Sequence, residues 1–295
     1  MHRLVLSVLM LPVLATAALP GALASDPRTE NDALLLTGGT LVDPRSGAAV
    51  EADLLIVDGR IVAAGRLRPE AFAGEVVDAS GRWIVPGLRD LHVHAFSNQA
   101  PGRVAETLTT SVVARRMLYA GVTGFLMIPT LANLDTALAT DPAVLEAPLL
   151  RAVAGPRILE AYSGFAAGGE RAAAVLASME KAQATRLAAV GELAAAGVPI
   201  VAGTDSGNPW TVQGFSLHRE LELLVEAGLS PPQALAAATT AAGDFLGRSW
   251  GLAPGDEGTV LVLDASPLED IRNTRRIHLV VHHGRIVDRE ALLAD

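Results

Sequence analysis

The sequence predicts an α/β protein in two parts, a helix-rich middle threaded by apolar strands and two β-rich ends that fold together. Three observations predict it. Residues 25–86 and 256–295 are dominated by short β-branched runs broken by Gly-Gly, Pro-Arg-Ser-Gly, Asp58-Gly59 and His283-Gly284, the pattern of antiparallel strands joined by tight turns. In residues 87–255 apolar strand-like runs alternate with helical patterns, which argues for a parallel sheet or barrel. Half of the residues are hydrophobic but only 4% are aromatic, a composition suited to layered α/β packing with small side chains between helices.

Each element has a local reason. ALLLTGGTLVDPRSGAAVEADLLIVDGRIVAAG (33–65) reads as strands with a hairpin at Asp58-Gly59, and the pattern continues through WIVPGL. Residues 103–119 place Val104, Leu108, Val112 and Leu118 near one face of an expected helix. AGVTGFLMIPTL is an expected buried strand. An Ala-rich helix is expected over 170–196, stopped by Gly197. VPIVAGTD (198–205) is a second expected buried strand. Helices are expected over 217–228, ended by Gly228, and over 231–247, with proline in the first turn. GTVLVLDASP (258–267) and IHLVVHHGRIVDRE (277–290) return to strands. The ends are expected to form one small discontinuous β-sandwich.

Charge and cysteine usage narrow the function. The net charge is −9 with no basic block, which disfavours nucleic acid as a partner and leaves a small-molecule substrate as the default. There is no cysteine, hence no disulfide, no thiolate zinc site and no cysteine nucleophile. Residues 1–24 read as a secretory signal peptide: Arg3, an apolar run, then Ala22-Leu23-Ala24 as the cleavage site. Pro12 and Pro20 interrupt the run and argue against a retained anchor. An exported, periplasmic protein with no stable membrane anchor is expected.

GLRDLHVHAF (87–96) carries the chemistry. His92 and His94 are two apart at the end of an apolar strand, so both imidazoles point to one face, and imidazole nitrogen is a usual zinc ligand. Asp205 closes VPIVAGTD in the same manner. It either ligates metal and moves a proton or caps the next helix, and its surroundings in the sequence leave both readings open. No G-x-G-x-x-G or P-loop accompanies Gly38-Gly39 or Gly168-Gly169, so no phosphate cradle is expected.

Taken in order, VPGLRDLHVH, AGVT, GVPIVAGTDSG, EAGLSPPQALAAATTAAGDFLG and VVHHGRIVD resemble the metal-dependent amidohydrolase superfamily, in its imidazolonepropionase- and prolidase-like branch. The resemblance spans nearly the whole chain after the leader, except near residues 125–170. It implies a (β/α)8 barrel of TIM type beside a small β-sandwich, and one or two divalent ions, usually zinc. It implies hydrolysis of a non-peptide amide or cyclic amide C–N bond, or in some members of a dipeptide. His92 and His94 match the family's first-strand ligands. Asp205 matches its last-strand aspartate, a ligand that also shuttles a proton.

The chain departs from that pattern. Family members supply a lysine or glutamate and two further histidines from middle strands. Here no histidine lies between His94 and His218, and the only lysine, Lys181, sits inside the Ala-rich helix pattern. A full barrel takes about 250 residues, so first and last strand ends should be roughly 210–220 residues apart. The interval from His94 to Asp205 is about half of that. An incomplete barrel is therefore expected, with an internal deletion joining the family's second and seventh strands within residues 121–131. His92, His94 and Asp205 remain as ligands, enough for one divalent ion, expected to be zinc. Open sheet edges would invite pairing with another copy. The competing expectation is a catalytically impaired relative, acting as a binding or scaffold protein or arising from a damaged gene.

Other residues complete the reading. His218 is a candidate for substrate contact at the pocket mouth, against a packing role at a helix start. Trp210 and Phe215 are candidates for a pocket wall, against ordinary loop packing. Glu220 and Glu222 read as a solvated helix face, and His278, His282 and His283 as surface residues. Asp90 is placed to orient the His92–His94 strand through a hydrogen bond.

Overall fold

A computed structural model describes residues 33–68, 72–94, 97–100, 104–127 and 140–294. The leader expected over residues 1–24 and the last part of the expected join, residues 128–131, lie outside them.

In chain order the N-terminal strands are β1 (Ala33–Asp43), β2 (Ala48–Val57), β3 (Arg60–Gly65), β4 (Glu75–Asp78) and β5 (Trp83–Pro86). Strand β6 (Leu88–Val93) carries the histidine motif. A two-stranded antiparallel pair, β7 (Ser97–Ala100) and β8 (Val104–Thr107), follows, then helix α1 (Thr110–Tyr119) and strand β9 (Val122–Met127). Helices α2 (Pro142–Leu145), α3 (Pro148–Val153), α4 (Pro156–Ala166), α5 (Gly169–Ala195), α6 (Phe215–Glu226), α7 (Pro231–Ala237) and α8 (Thr240–Phe245) build the middle. Strands β10 (Val260–Leu263), β11 (Ile277–His282) and β12 (Arg285–Ile286) and helix α9 (Arg289–Leu293) close the chain.

The two ends meet in one eight-stranded sheet of order β12-β11-β10-β5-β1-β2-β3, with β4 also paired to β1. The join is antiparallel pairing of β10 with β5, Leu261 opposite Val85 and Val262 opposite Ile84. Side chains alternate across these strands, and the alternation divides them between two cores. Leu54, Ile56, Ile84, Val260 and Val262 pack within the sheet domain. Val85, Leu261, Leu263 and Val280 instead join the helices of the middle. Asp58 and Gly59 (φ 49° and 71°) and His283 and Gly284 (φ 49° and 77°) form the two hairpin turns. Positive φ at both central positions is the type I′ geometry that matches strand twist.

The middle is an incomplete β/α barrel. β6 and β9 pair in parallel, and on the other side of β6 runs the extended segment 202–206. Leu91 N–H donates to the Ala202 carbonyl at 3.0 Å, Asp205 N–H to His92 at 2.8 Å, and His94 N–H to Ser206 at 2.6 Å. The expected strand over 198–205 is therefore an extended run beside β6 rather than a regular ladder, with one parallel bridge, Val93 to Ser206. Among the described residues no helix is long and apolar enough to cross a membrane.

Three helical expectations need correction. Residues 104–107 are strand, and the helix starts only after Thr109, whose hydroxyl accepts from Val112 N–H. That capping bond fixes the start that side-chain periodicity alone had set too early. The expected helix over 231–247 is two helices. Thr239 leaves the helical region (φ −134°, ψ −97°) and its hydroxyl bonds back to the Leu235 carbonyl. The break frees the Ala237 and Ala238 carbonyls to accept from Ala202 and Arg89 of the sheet. Glu222 is not solvated: its side chain is 12% exposed and pairs with Arg219 at 2.8 Å and with Arg275. Helices α2 to α4 occupy a region to which the sequence assigned no structure.

Candidate metal centre

β6 delivers His92 and His94 to one face, with ring centroids 5.7 Å apart. Asp205 arrives from the neighbouring segment. Its Oδ1 lies 3.2 Å from His92 Nε2 and 2.8 Å from His94 Nε2. One ligand atom from each residue falls within 4.8 Å of the other two. Tetrahedral zinc, about 2 Å from each ligand, sets its ligand atoms about 3.3 Å apart, so the three residues fit one such ion. Asp205 is 6% exposed. Its Oδ1 also accepts from Asn208 Nδ2 at 2.8 Å, while Oδ2 is buried without a hydrogen-bond partner among the described residues. A buried carboxylate oxygen lacking a donor is costly, and a cation in the cluster would relieve that cost.

Backbone conformation shapes the site. Asp205 has φ 56°, in the left-handed region that non-glycine residues seldom occupy. Gly203 lets this segment approach β6: a Cβ there would stand 2.9 Å from His92 Cβ. Gln213 Nε2 donates to the His94 carbonyl at 3.1 Å. Asp90, fully buried, accepts from Thr204 N–H at 2.9 Å, from Thr204 Oγ1 at 2.6 Å and from His92 N–H at 3.2 Å. Burial raises its pKa to about 7, against the lowering effect of those hydrogen bonds. Asp90 thus bonds to the His92–His94 strand, as the sequence suggested, and also to the Asp205 segment, which the sequence did not indicate. Thr204 and Gly203 were not singled out, although GTD directly precedes the candidate ligand's loop.

The remaining candidates separate from this cluster. His218 is fully buried, with Nδ1 3.0 Å from Thr274 Oγ1 and Nε2 donating to the Ala120 carbonyl at 2.8 Å. That is a packing position and not a pocket mouth. Desolvation lowers its pKa to about 3, so the imidazole is neutral. Trp210 and Phe215 belong to an apolar cluster with Tyr162 and Val153, and Trp210 N–H donates to the Tyr162 hydroxyl oxygen at 2.6 Å. Lys181 is exposed on α5 and Glu220 is half-buried. His278 and His283 are exposed, whereas His282 is half-buried, with its pKa lowered first by desolvation.

No protein-family model matches the chain. A dihydroorotase of Anaeromyxobacter sp. (strain K) is 31% identical over 200 residues, 68% of this chain and 41% of the relative. An adenine deaminase of Deinococcus deserti is 33% identical over 149 residues, 48% of this chain and 25% of the relative. The chain is thus similar in sequence to members of the metal-dependent amidohydrolase superfamily. It spans less than half the length of these two curated amidohydrolase relatives. The fold agrees: a solved structure of molinate hydrolase superposes with a TM-score of 0.60 at 18% identity, covering 89% of this chain and 96% of that one. In this chain His92, His94 and Asp205 form a candidate metal centre despite the short interval between them.

Proposed function

We propose that this chain is a metal-dependent hydrolase acting on a carbon–nitrogen bond of a small non-peptide amide or cyclic amide. The observation that carries the reading is the convergence of His92, His94 and Asp205 from two adjacent segments, with Asp205 Oδ2 left without a donor among the described residues. The relatives support the reaction class, since a dihydroorotase and an adenine deaminase are among them. A bound divalent ion, with zinc favoured by the donor set, supplies Lewis acidity and lowers the pKa of water. The protein's own residues do the rest. His92 and His94 would hold the ion through their ring nitrogens. Asp205 offers Oδ1 toward the histidines, and Oδ2 is placed to take a proton from the attacking water and return it to the leaving nitrogen.

We also attribute the short interval between the two halves of the site to an internal deletion of middle strands. The adjacency of β6 and segment 202–206 supports this, because it is the first-to-last contact of a closed barrel retained with fewer strands between. The leader-like residues 1–24 support export to the periplasm. A second reading, a relative with impaired catalysis, is favoured by one observation: Lys181 is exposed on a helix, away from the role of a middle-strand ligand.

Turnover of a panel of cyclic amides, aryl amides and Xaa-Pro dipeptides by zinc-loaded protein tests the proposal. The expected result is metal-dependent hydrolysis that disappears in Asp205→Asn. Hydrolysis unchanged in that variant overturns the assigned site, and a metal-loaded chain inert across the panel favours the impaired relative.

A further inference from the structure

We infer that Asp90 and Thr204 form a positioning clamp that sets the Asp205 carboxylate against the histidine pair. This deepens the metal-site reading and rests on it.

Asp205 occupies a left-handed conformation (φ 56°), which persists in a side-chain-bearing residue only where the surroundings over-determine it. The residues on either side of it are tied down by one hydroxyl. Thr204 Oγ1 donates to Asp90 Oδ2 at 2.6 Å and accepts from Ser206 N–H at 3.0 Å. Thr204 N–H is also taken by Asp90 Oδ1, at 2.9 Å. The backbone before and after Asp205 is therefore held through a single side chain. The same carboxylate oxygen, Oδ1, accepts from His92 N–H. One buried carboxylate thus fixes the spacing between the strand bearing the histidines and the turn bearing the aspartate. Asp90 is fully buried and Thr204 is 1% exposed, so water cannot replace a missing partner without rearrangement. Neither residue belongs to the candidate ligand set; both act through Asp205 and His92.

The clamp needs a hydroxyl at position 204. Valine has the right shape but neither donates nor accepts, whereas serine keeps both bonds. The test is the affinity of the metal-free protein for zinc, titrated against a competing chelator, with circular dichroism establishing the fold of each variant. Thr204→Val is expected to bind zinc at least about tenfold more weakly, in the range seen when an outer partner of a ligand is removed, while Thr204→Ser stays within that tenfold. A merely structural hydroxyl would change melting of the metal-free form and leave zinc affinity of the folded form unmoved. Weakening of less than tenfold in folded Thr204→Val, or equal weakening in Thr204→Ser, overturns the clamp alone. Should Thr204→Val not fold, Asp90→Asn carries the same tenfold threshold. A parent chain that binds no zinc overturns both the metal site and the clamp.

Discussion

His94 Nε2 and Asp205 Oδ1 stand 2.8 Å apart although their residues come from different segments of the middle domain. Contact at that distance is either a hydrogen bond or one edge of a metal polyhedron, and Oδ2, without a partner among the described residues, favours the second. Purified protein, dialysed and measured by elemental mass spectrometry, is expected to retain about one zinc per chain, matching the one such set of ligands among the described residues. His94→Ala should lose it. Retention of the metal by that variant would place the ion elsewhere.

Gly203 gives a second test of the same geometry. A methyl group there would meet His92 Cβ at 2.9 Å and its backbone N at 3.3 Å. The backbone atoms on both sides are fixed by hydrogen bonds, so the histidine must yield. Gly203→Ala is expected to lower zinc affinity by about tenfold or more, because a displaced ligand loses coordination geometry, and to destabilise the fold by about 1–3 kcal/mol through overpacking. Competition titration and chemical denaturation separate the two effects.

Much of this site was legible because its signals are local. The alternation that makes β6 a strand also puts His92 and His94 on one face, and Asp205 ends an apolar run in the same way. The hairpins at Asp58-Gly59 and His283-Gly284 were legible because few residues tolerate positive φ at both turn positions. What escaped depends on tertiary partners. The helix break at Thr239 exists because Ala237 and Ala238 give their carbonyls to the sheet, and nothing in AAATTAAG announces those acceptors. Thr204 is an ordinary threonine until Asp90, far away in sequence, meets it. Burial of His218 depends on Thr274 and Ala120, both distant along the chain.

Glu222 shows the same dependence and can be tested through stability. Its carboxylate lies between Arg219 and Arg275, whose side chains are 20% and 18% exposed. Desolvation is the main influence on Arg275, lowering its pKa, and Glu222 opposes it. Removing the acid leaves Arg275 charged and poorly solvated over the Phe215 ring. A fully buried pair broken this way costs about 3–5 kcal/mol; partial exposure reduces the expected loss for Glu222→Leu to about 2 kcal/mol. Urea denaturation at neutral pH measures it. A loss comparable to that of an exposed pair, under about 0.5 kcal/mol, would mean that the arginine finds water instead.

His218 predicts a pH dependence with a definite sign. Burial, first of all, and then Arg275 and Arg289 lower its pKa from 6.5 to about 3, while its bond to the Ala120 carbonyl acts the other way. Above pH 6.5 the ring is neutral in folded and unfolded chains alike. Below it the unfolded chain takes up a proton that the folded one refuses, so this histidine's contribution to stability falls as pH drops from about 6.5 toward 3. The slope approaches about 1.4 kcal/mol per pH unit. Asp90 runs in the opposite sense: its pKa, raised from 3.8 to about 7, adds stability as pH falls through 7, which flattens the total curve. The histidine is isolated by comparing the parent with His218→Gln, which keeps polar atoms but does not titrate. The parent's advantage over the variant is expected to shrink by about 2 kcal/mol between pH 7 and pH 5. An advantage independent of pH would show that the imidazole takes up its proton in the folded state, and that its surroundings beside Ala120 and Thr274 are open enough to hold the charge.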